Sequence, residues 1–296
     1  MSEKKISSFQ LWLMAIRPKT LPAAAGPVLV GTAVALFAGG FRLFPALAAF
    51  LVALLLQVAV NLANDYFDAK NEIDSEKRLG PVRVTQSGLI PAAHVKMGMV
   101  LCLVVAGLIF CYLAVVGGWL MLLVAVASVC GALAYSGGPY PLASHGLGEL
   151  FVFIFFGPVA VCCTYYVQAG RFSSLSLVAS FVPGLLITAI MVINNLRDIP
   201  TDAPSGKNTL AVRLGRRNTV WFYRLLLLLW YAVPLYLLAA GVGGPMLLLS
   251  LISGPMAFVL FREVESAVGS ELNQTLARTA QFSLFASLLF SIGLIL

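Results

Sequence analysis

The chain has 296 residues, of which 60% are hydrophobic and only 10% are charged. A soluble globular domain carries about 25% charged residues, so this composition excludes that class and is typical of a polytopic membrane protein. The formal net charge of +7 does not indicate a nucleic-acid partner, because no basic stripe is interleaved with exposed aromatic residues. All five cysteines fall in apolar runs without metal-ligand spacing, so they are interpreted as small buried side chains.

Apolar runs of about 20 residues, the length that crosses a bilayer, divide the chain. Breaking the sequence at Gly, Pro and charge clusters predicts an all-α protein, with nine transmembrane helices in a single bundle that forms one domain, 1–296. The predicted spans are 20–39, 44–64, 95–116, 119–136, 147–168, 174–196, 219–240, 245–261 and 278–296. Residues 1–16 are interpreted as an interfacial amphipathic segment and not as a signal peptide, because Arg17 and Lys19 interrupt the apolar core that export requires.

The distribution of cations predicts the orientation. If the N-terminus lies inside, every one of the 19 Lys and Arg residues except Arg42 and Arg171 falls on the cytoplasmic side, as the positive-inside rule requires. The two long polar segments, 65–94 and 197–218, are then cytoplasmic loops that cap the bundle, and long polar loops tend to be functional. We therefore expect a multi-pass protein of the bacterial cytoplasmic (inner) membrane, with its active site facing the cytoplasm.

Acidic residues gather where the second and sixth predicted spans end. The first cluster holds Asn61, Asp65, Asp68, Glu72 and Asp74, and the second holds Asn194, Asp198 and Asp202. Asp65 and Asp68 are three residues apart, so they are expected to share a helix face with Asn61. Like charges near helix C-termini are unfavourable by up to about 1 kcal/mol each unless a cation bridges them. Oxygen ligands of this kind suit Mg²⁺, whereas solvated loop acids would not explain two clusters that both contain Asn-x-x-x-Asp.

Basic residues follow each acidic cluster and are candidates for binding a diphosphate. Lys70, Arg78 and Arg83 come after the first cluster, and Lys207 comes after the second. Such cations beside Mg²⁺ stabilise the charge that grows on a leaving diphosphate.

Two tyrosines, Tyr135 and Tyr140, lie at the inner end of the fourth predicted span. There an aromatic face can stabilise a developing cation. The alternative is that they are ordinary interfacial anchors, which membrane proteins commonly place at this level.

In these segments the chain resembles the UbiA superfamily of intramembrane aromatic prenyltransferases, most of all its 1,4-dihydroxy-2-naphthoate polyprenyltransferases of menaquinone synthesis. The resembling segments are 17–22, 61–81, 134–150 and 194–215. The resemblance implies that Mg²⁺ and catalysis depend on Asn61, Asp65, Asp68, Asp198 and Asp202. It also implies that the diphosphate is bound by Lys70, Arg78, Lys207 and Asn208. The remaining substrate contacts implied by it are Arg17, Lys19, Asn64, Asp74, Arg83, Tyr135, Tyr140, Asn194 and Asn195, with Arg17, Lys19 and Arg83 as unranked candidates for the acceptor carboxylate.

One departure from the superfamily pattern bears on the substrate. Many members carry Tyr-x-x-x-Lys at the end of span 4, whereas here Pro139 stands at the lysine position after Tyr135. This version resembles the naphthoate branch, and the diphosphate must then find its lysine elsewhere, at Lys70 or Lys207. The implied reaction transfers a polyprenyl group from polyprenyl diphosphate to 1,4-dihydroxy-2-naphthoate within the membrane lipid, with loss of CO₂ and diphosphate, and gives demethylmenaquinol.

Two alternatives remain open. One is prenyl transfer to another aromatic acceptor of the 4-hydroxybenzoate type. The other, from a different class, is a cation-coupled membrane transporter with Gln57, Asn61, Asn194 and Asn195 lining its path. A transporter site lies near the bilayer centre, whereas these acidic residues cluster at one surface, which favours the prenyltransferase.

Overall fold

The computed structural model describes residues 7–70 and 79–296. Within these ranges all regular structure is helical, which confirms the predicted fold class. The α-helices are α1 (Ser8–Ile16), α2 (Pro22–Phe37), α3 (Leu43–Lys70), α4 (Ala92–Gly117), α5 (Leu120–Ser136), α6 (Gly148–Ile154), α7 (Ala160–Ala169), α8 (Ser174–Asp202), α9 (Leu210–Leu229), α10 (Ala232–Ala239), α11 (Gly254–Ser266) and α12 (Leu272–Ile295). Short 3-10 helices occupy Pro18–Thr20, Leu142–His145, Pro245–Ser253 and Gly269–Glu271, and a π-helical turn, Phe155–Val159, joins α6 to α7.

Seven helical segments in the described ranges are long and apolar enough to span a membrane. An eighth results if the pair Ser8–Thr20 and Pro22–Phe37, which meet at a bend of 46°, forms one span. Helix α5 matches the predicted span 119–136 but has only 17 residues. The protein is therefore a polytopic helical membrane protein, while the count of nine spans and the cytoplasmic N-terminus stay predictions.

Helix α8 lies at the centre of the bundle. It packs against α2, α6, α9 and α12, and 67% of its apolar window is buried inside the molecule. The main hydrophobic cluster joins Leu186 and Ile193 of this helix to Trp230, Phe282 and Phe290. Because neighbours surround α8, the end that carries the second acidic cluster is held in a fixed position.

Helices α3 and α8 extend further than predicted, so the starts of the predicted loops 65–94 and 197–218 were wrong. Helix α3 ends at Lys70 and α8 at Asp202, and both acidic clusters therefore begin within helices. The 28 residues of α3 span about 42 Å, which exceeds the hydrocarbon thickness of about 30 Å. Its last turns can thus carry charged side chains beyond the apolar layer while the backbone stays helical.

Candidate active site

A cavity of about 620 Å³ runs through the bundle from the ends of α3 and α8 towards the opposite side. One face of α3 lines it, through Ala49, Val52, Ala53, Leu56, Gln57, Val60, Asn61, Asn64 and Asp68. This spacing of three and four residues marks a single helix face. From Ala49 to Asp68 the helix rises about 28 Å, so the cavity is nearly as long as the hydrocarbon layer is thick.

The wall of the cavity changes character along its length. At the end remote from Asp68 it is formed by a buried apolar cluster that includes Val52, Phe110, Leu113, Met121 and Val167. At the other end the polar lining residues include Arg17, Lys19, Asn61, Asn64, Asp68, Arg83, Tyr135, Asn194, Asn195, Arg197, Asp198, Asp202 and Lys207. This shape fits a molecule with an anionic head and a long apolar tail.

The two acidic clusters, far apart in the chain, meet at the polar end. Lys207 Nζ, which follows the second cluster, lies 3.7 Å from Asp68 Oδ2 of the first. Asn273 of α12 ties the same regions together, because its Nδ2 donates to the carbonyl of Leu79 at 3.0 Å and its Oδ1 accepts from Arg197 Nη1 at 2.8 Å. The structure thus brings together the ends of the second and sixth predicted spans.

Arg197 organises the second cluster, a role that the sequence analysis missed. Its side chain is 2% exposed and donates to both oxygens of Asp198, from Nε at 2.8 Å and from Nη2 at 2.6 Å. Nη2 also donates to Asn194 Oδ1 at 2.9 Å. A two-pronged Arg–carboxylate contact fixes the orientation of the acid. The sequence did contain a signal for Arg197, because this arginine lies inside the motif Asn-Asn-Leu-Arg-Asp. Its partner Asn273 lies in no motif, so the sequence contained no signal for that residue.

Asp65 and Asp68 both contact the segment 83–85, as residues three apart on a helix can, but in the described ranges Asp68 lines the cavity and Asp65 does not. Asp68 Oδ2 accepts from Arg83 Nη2 and lines the cavity. Asp65 is 1% exposed and is not among the described residues that line the cavity. Its carboxylate accepts hydrogen bonds from the backbone N–H groups of Val84 and Thr85, each at 3.1 Å. Three residues of helix separate the two side chains by about 60°, enough to divide them. Asp65 therefore holds the turn that carries Arg83, and its role as a metal ligand stays a prediction.

Asn61 contacts the N-terminal segment. Its Nδ2 donates to the carbonyl of Ile16 at 2.8 Å and to Thr20 Oγ1 at 3.0 Å. Between these partners Arg17 has φ 55°, and it is the one non-glycine residue with positive φ in the described ranges. A left-handed conformation costs an L-residue about 1–2 kcal/mol. The two hydrogen bonds bracket this bend and hold Arg17 and Lys19 against the cavity.

Several predicted site residues lie away from the cavity, namely Asp65, Lys70, Tyr140 and Asn208. Lys70 is exposed because two residues of helix turn it away from Asp68. Tyr140 is 55% exposed and stacks on His145, and the side chain of Asn208 is exposed. Asp74 and Arg78 lie outside the described residues. Of the two candidate lysines, Lys207 is the one that lines the cavity.

Tyr135 lines the cavity, as predicted, among amide side chains. Its hydroxyl donates to Met191 Sδ at 3.1 Å. Ser136 donates its hydroxyl to Asn64 Oδ1, which ties the end of α5 to α3. Asn195 is a further amide that lines this end of the cavity. The polar end of the cavity thus combines charged groups with an aromatic ring.

The donors at the polar end fit Mg²⁺ by chemical type. Asp68, Asp198 and Asp202 offer carboxylate oxygens and Asn61 and Asn64 offer amide oxygens, which this ion prefers. In the described part of the chain no three His, Cys, Asp or Glu side chains stand close enough to hold an ion by themselves. Mg²⁺ commonly takes one or two protein carboxylates and completes its shell with water and substrate phosphates, so the arrangement suits an ion that arrives with a diphosphate.

Comparisons with known proteins agree with this geometry. The model of the UbiA prenyltransferase family matches residues 24–289. The 1,4-dihydroxy-2-naphthoate octaprenyltransferase of Escherichia coli (strain K12) is 37% identical over 100% of this chain and 98% of that protein. The protein of the same name from Mycobacterium tuberculosis (strain ATCC 25618 / H37Rv) is 39% identical over 89% of each chain. The structure of a UbiA homolog from Archaeoglobus fulgidus bound to DMAPP and Mg²⁺ has a TM-score of 0.62 over 95% of this chain and 99% of that one, at 13% identity. The chain therefore belongs to the UbiA prenyltransferase family.

Proposed function

We propose that the protein transfers a polyprenyl group from polyprenyl diphosphate to 1,4-dihydroxy-2-naphthoate, releasing CO₂ and diphosphate and giving demethylmenaquinol. The acceptor is supported by full-length relatives that carry the name 1,4-dihydroxy-2-naphthoate octaprenyltransferase. Prenyl transfer to 4-hydroxybenzoate finds no such support among these relatives.

The observation that carries the proposal is the single cavity with two unlike ends. The charged end suits a diphosphate, because Lys207 and Arg83 stand beside Asp68 there. The apolar channel along α3 suits an isoprenoid tail, since burying apolar carbon is favourable by about 25 cal/mol per Å². A transporter would need its site near the bilayer centre, whereas the charged groups here lie at one end.

The reaction balances without an added oxidant. The C–O bond of the prenyl diphosphate breaks, and its electron pair leaves on the diphosphate. The carboxyl-bearing ring carbon of the ionised naphthoate forms the new C–C bond, and the carboxylate leaves as CO₂, whose former bonding pair restores the aromatic ring. Bound Mg²⁺ would neutralise charge on the leaving diphosphate, with Asp68, Asp198 and Asp202 as the residues to hold it.

The chain's own cations would assist the same bond cleavage. Lys207 and Arg83 would bind the diphosphate oxygens and stabilise the charge that develops there. Arg17 and Lys19, held against the cavity by Asn61, supply further positive charge for the diphosphate or for the acceptor carboxylate. The buried apolar wall excludes water, which would otherwise capture the allylic cation.

The experiment is a reconstitution of the purified protein in lipid with octaprenyl diphosphate, Mg²⁺ and either 1,4-dihydroxy-2-naphthoate or 4-hydroxybenzoate. We expect a prenylated, decarboxylated product only from the naphthoate, and loss of turnover with EDTA that Mg²⁺ restores. Asp198→Asn should abolish turnover, whereas Glu265→Gln, at a side chain that is 72% exposed, should not. Prenylation of 4-hydroxybenzoate alone overturns the acceptor assignment, and full turnover in EDTA overturns the metal role.

We further propose nine spans with the N-terminus and the active site on the cytoplasmic side of the bacterial inner membrane. The support is the distribution of Lys and Arg and the bacterial origin of relatives such as the Escherichia coli protein. A cysteine introduced at the exposed Ser205 should then react with a membrane-impermeant maleimide from the inner side only. Labelling from the outer side contradicts the orientation.

A further inference from the structure

Glu149 is a buried carboxylate that the proposed chemistry does not use. It lies in the first turn of α6 and is 4% exposed. Its Oε1 accepts from Asn195 Nδ2 at 2.8 Å, while Oε2 has no hydrogen-bond partner among the described residues. A carboxylate oxygen without a hydrogen-bond partner in an apolar interior is energetically unfavourable. Polar groups that serve only a structural role in protein interiors normally have all their hydrogen-bond partners. A purely structural role therefore leaves this oxygen unexplained.

The hydrogen bond to Glu149 fixes the orientation of its neighbour. Asn195 donates from its Nδ2 group to Glu149 Oε1 at 2.8 Å, so the amide turns its NH₂ group towards Glu149 and its carbonyl oxygen away. That oxygen has no partner in the described part of the chain, and Asn195 lines the cavity.

The surroundings of Asn195 suit a flat aromatic molecule. Tyr135 and Met191 line the same part of the cavity, and their side chains contact each other through a hydroxyl-to-sulfur distance of 3.1 Å. A Cβ at Gly148, next to Glu149, would lie 3.5 Å from the Tyr135 hydroxyl and 3.6 Å from Met191 Cε. Thioether and aromatic groups pack well against aromatic rings.

We infer that Asn195, held in one orientation by Glu149, accepts a hydrogen bond from the 4-hydroxyl group of the aromatic acceptor. The 4-hydroxyl is the free donor of 1,4-dihydroxy-2-naphthoate, because the 1-hydroxyl lies beside the carboxylate and bonds to it internally. Asn195 is then a specificity-determining residue, and Glu149 is a positioning residue that acts through it. This inference rests on the proposed function.

The test compares inhibition of naphthoate turnover by 4-hydroxy-2-naphthoate and by 2-naphthoate, which differ only in this hydroxyl. For the wild-type protein we expect the hydroxyl to tighten inhibition about tenfold, the value of one ordinary hydrogen bond. In Asn195→Leu the ratio of the two inhibition constants should fall to near one, and in Glu149→Gln, where the amide is free to turn, it should fall several-fold. The KM for the prenyl donor should stay unchanged in both variants.

Thr188→Val is the matched control. Thr188 is a buried polar residue of the same helix α8 whose hydroxyl donates to the carbonyl of Gly184, and it is not among the described residues that line the cavity. This variant should keep the wild-type ratio. The inference is overturned if Asn195→Leu retains the wild-type ratio, or if Glu149→Gln lowers the affinity for donor and acceptor equally. A wild-type protein that does not prenylate the naphthoate would instead overturn the proposed function, so the two failures are distinguishable.

Discussion

Replacing Asp65 by Asn tests how the site holds Arg83. Asp65 is 1% exposed, and its two oxygens accept the backbone N–H groups of Val84 and Thr85, each at 3.1 Å. Asn fits the same space but keeps one acceptor oxygen, so its NH₂ group must face one of the two donors. The turn then loses one charge-assisted hydrogen bond, and the other becomes a neutral one.

The size of the effect follows from these contacts. A hydrogen bond to a charged group contributes about 1.5–3 kcal/mol and a neutral one about 1 kcal/mol. Losing one bond and weakening the other removes about 3 kcal/mol from the turn, which raises its local opening constant about a hundredfold. Glu265→Gln is the control, because it makes the same kind of chemical change at a side chain that is 72% exposed and pairs with Arg224, outside this turn.

Hydrogen–deuterium exchange of the protein in lipid nanodiscs, without metal or substrate, measures this opening directly. The peptide that covers Val84 and Thr85 should exchange about a hundredfold faster in Asp65→Asn and close to the wild-type rate in Glu265→Gln. Unchanged exchange in Asp65→Asn, or equal acceleration in both variants, would show that Asp65 does not hold the turn. The position of Arg83 would then need another explanation.

Two further outcomes are expected from the cavity. Lys207→Gln should lower kcat/KM for the prenyl donor at least about tenfold, because it removes a charged contact at the diphosphate end. The control Lys70→Gln changes an exposed lysine and should keep kcat/KM within about twofold of the wild-type value. Equal losses of kcat/KM in the two variants would contradict the role of Lys207. Ala53→Trp places an indole across the channel and should reduce turnover of octaprenyl diphosphate far more than that of geranyl diphosphate. Leu51→Trp, on the exposed face of the same helix, is its control, and an equal loss with both donors would exclude the channel as the path of the tail.

The helices were largely predictable because a bilayer imposes a simple length rule. The predicted span 44–64 lies within α3, and 174–196 lies within α8. Their far ends were missed because hydropathy marks where the apolar layer stops, not where the helix stops. Asp68 is compensated by tertiary partners that the local sequence does not contain. For Asp68 these are Arg83, fifteen residues away, and Lys207, in another loop.

The site was predictable in part for a similar reason. Two acidic clusters that end even-numbered predicted spans are expected on the same side of the membrane, which allows them to meet in one site. The sequence could not predict that Asp68 lines the cavity while Asp65 does not. The two side chains are about 60° apart around the helix, and the sequence does not show which of them points towards the cavity. Asn273 could not be found at all, since its role depends on where α12 packs.

The single lining face of α3 also determines where the reacting carbon lies. The diphosphate end is defined by Asp68 and Lys207, and the apolar channel begins one to two turns further along the same face, beyond Asn61. In the proposed reaction we therefore expect the first carbon of the prenyl diphosphate level with Asn64. Ser136 is bonded to Asn64 there, so the ring of the preceding Tyr135 is placed beside this level. An acceptor held there by Asn195 would lie beside this carbon, near Tyr135 of α5, and proximity of this kind is what direct attack on the allylic carbon requires.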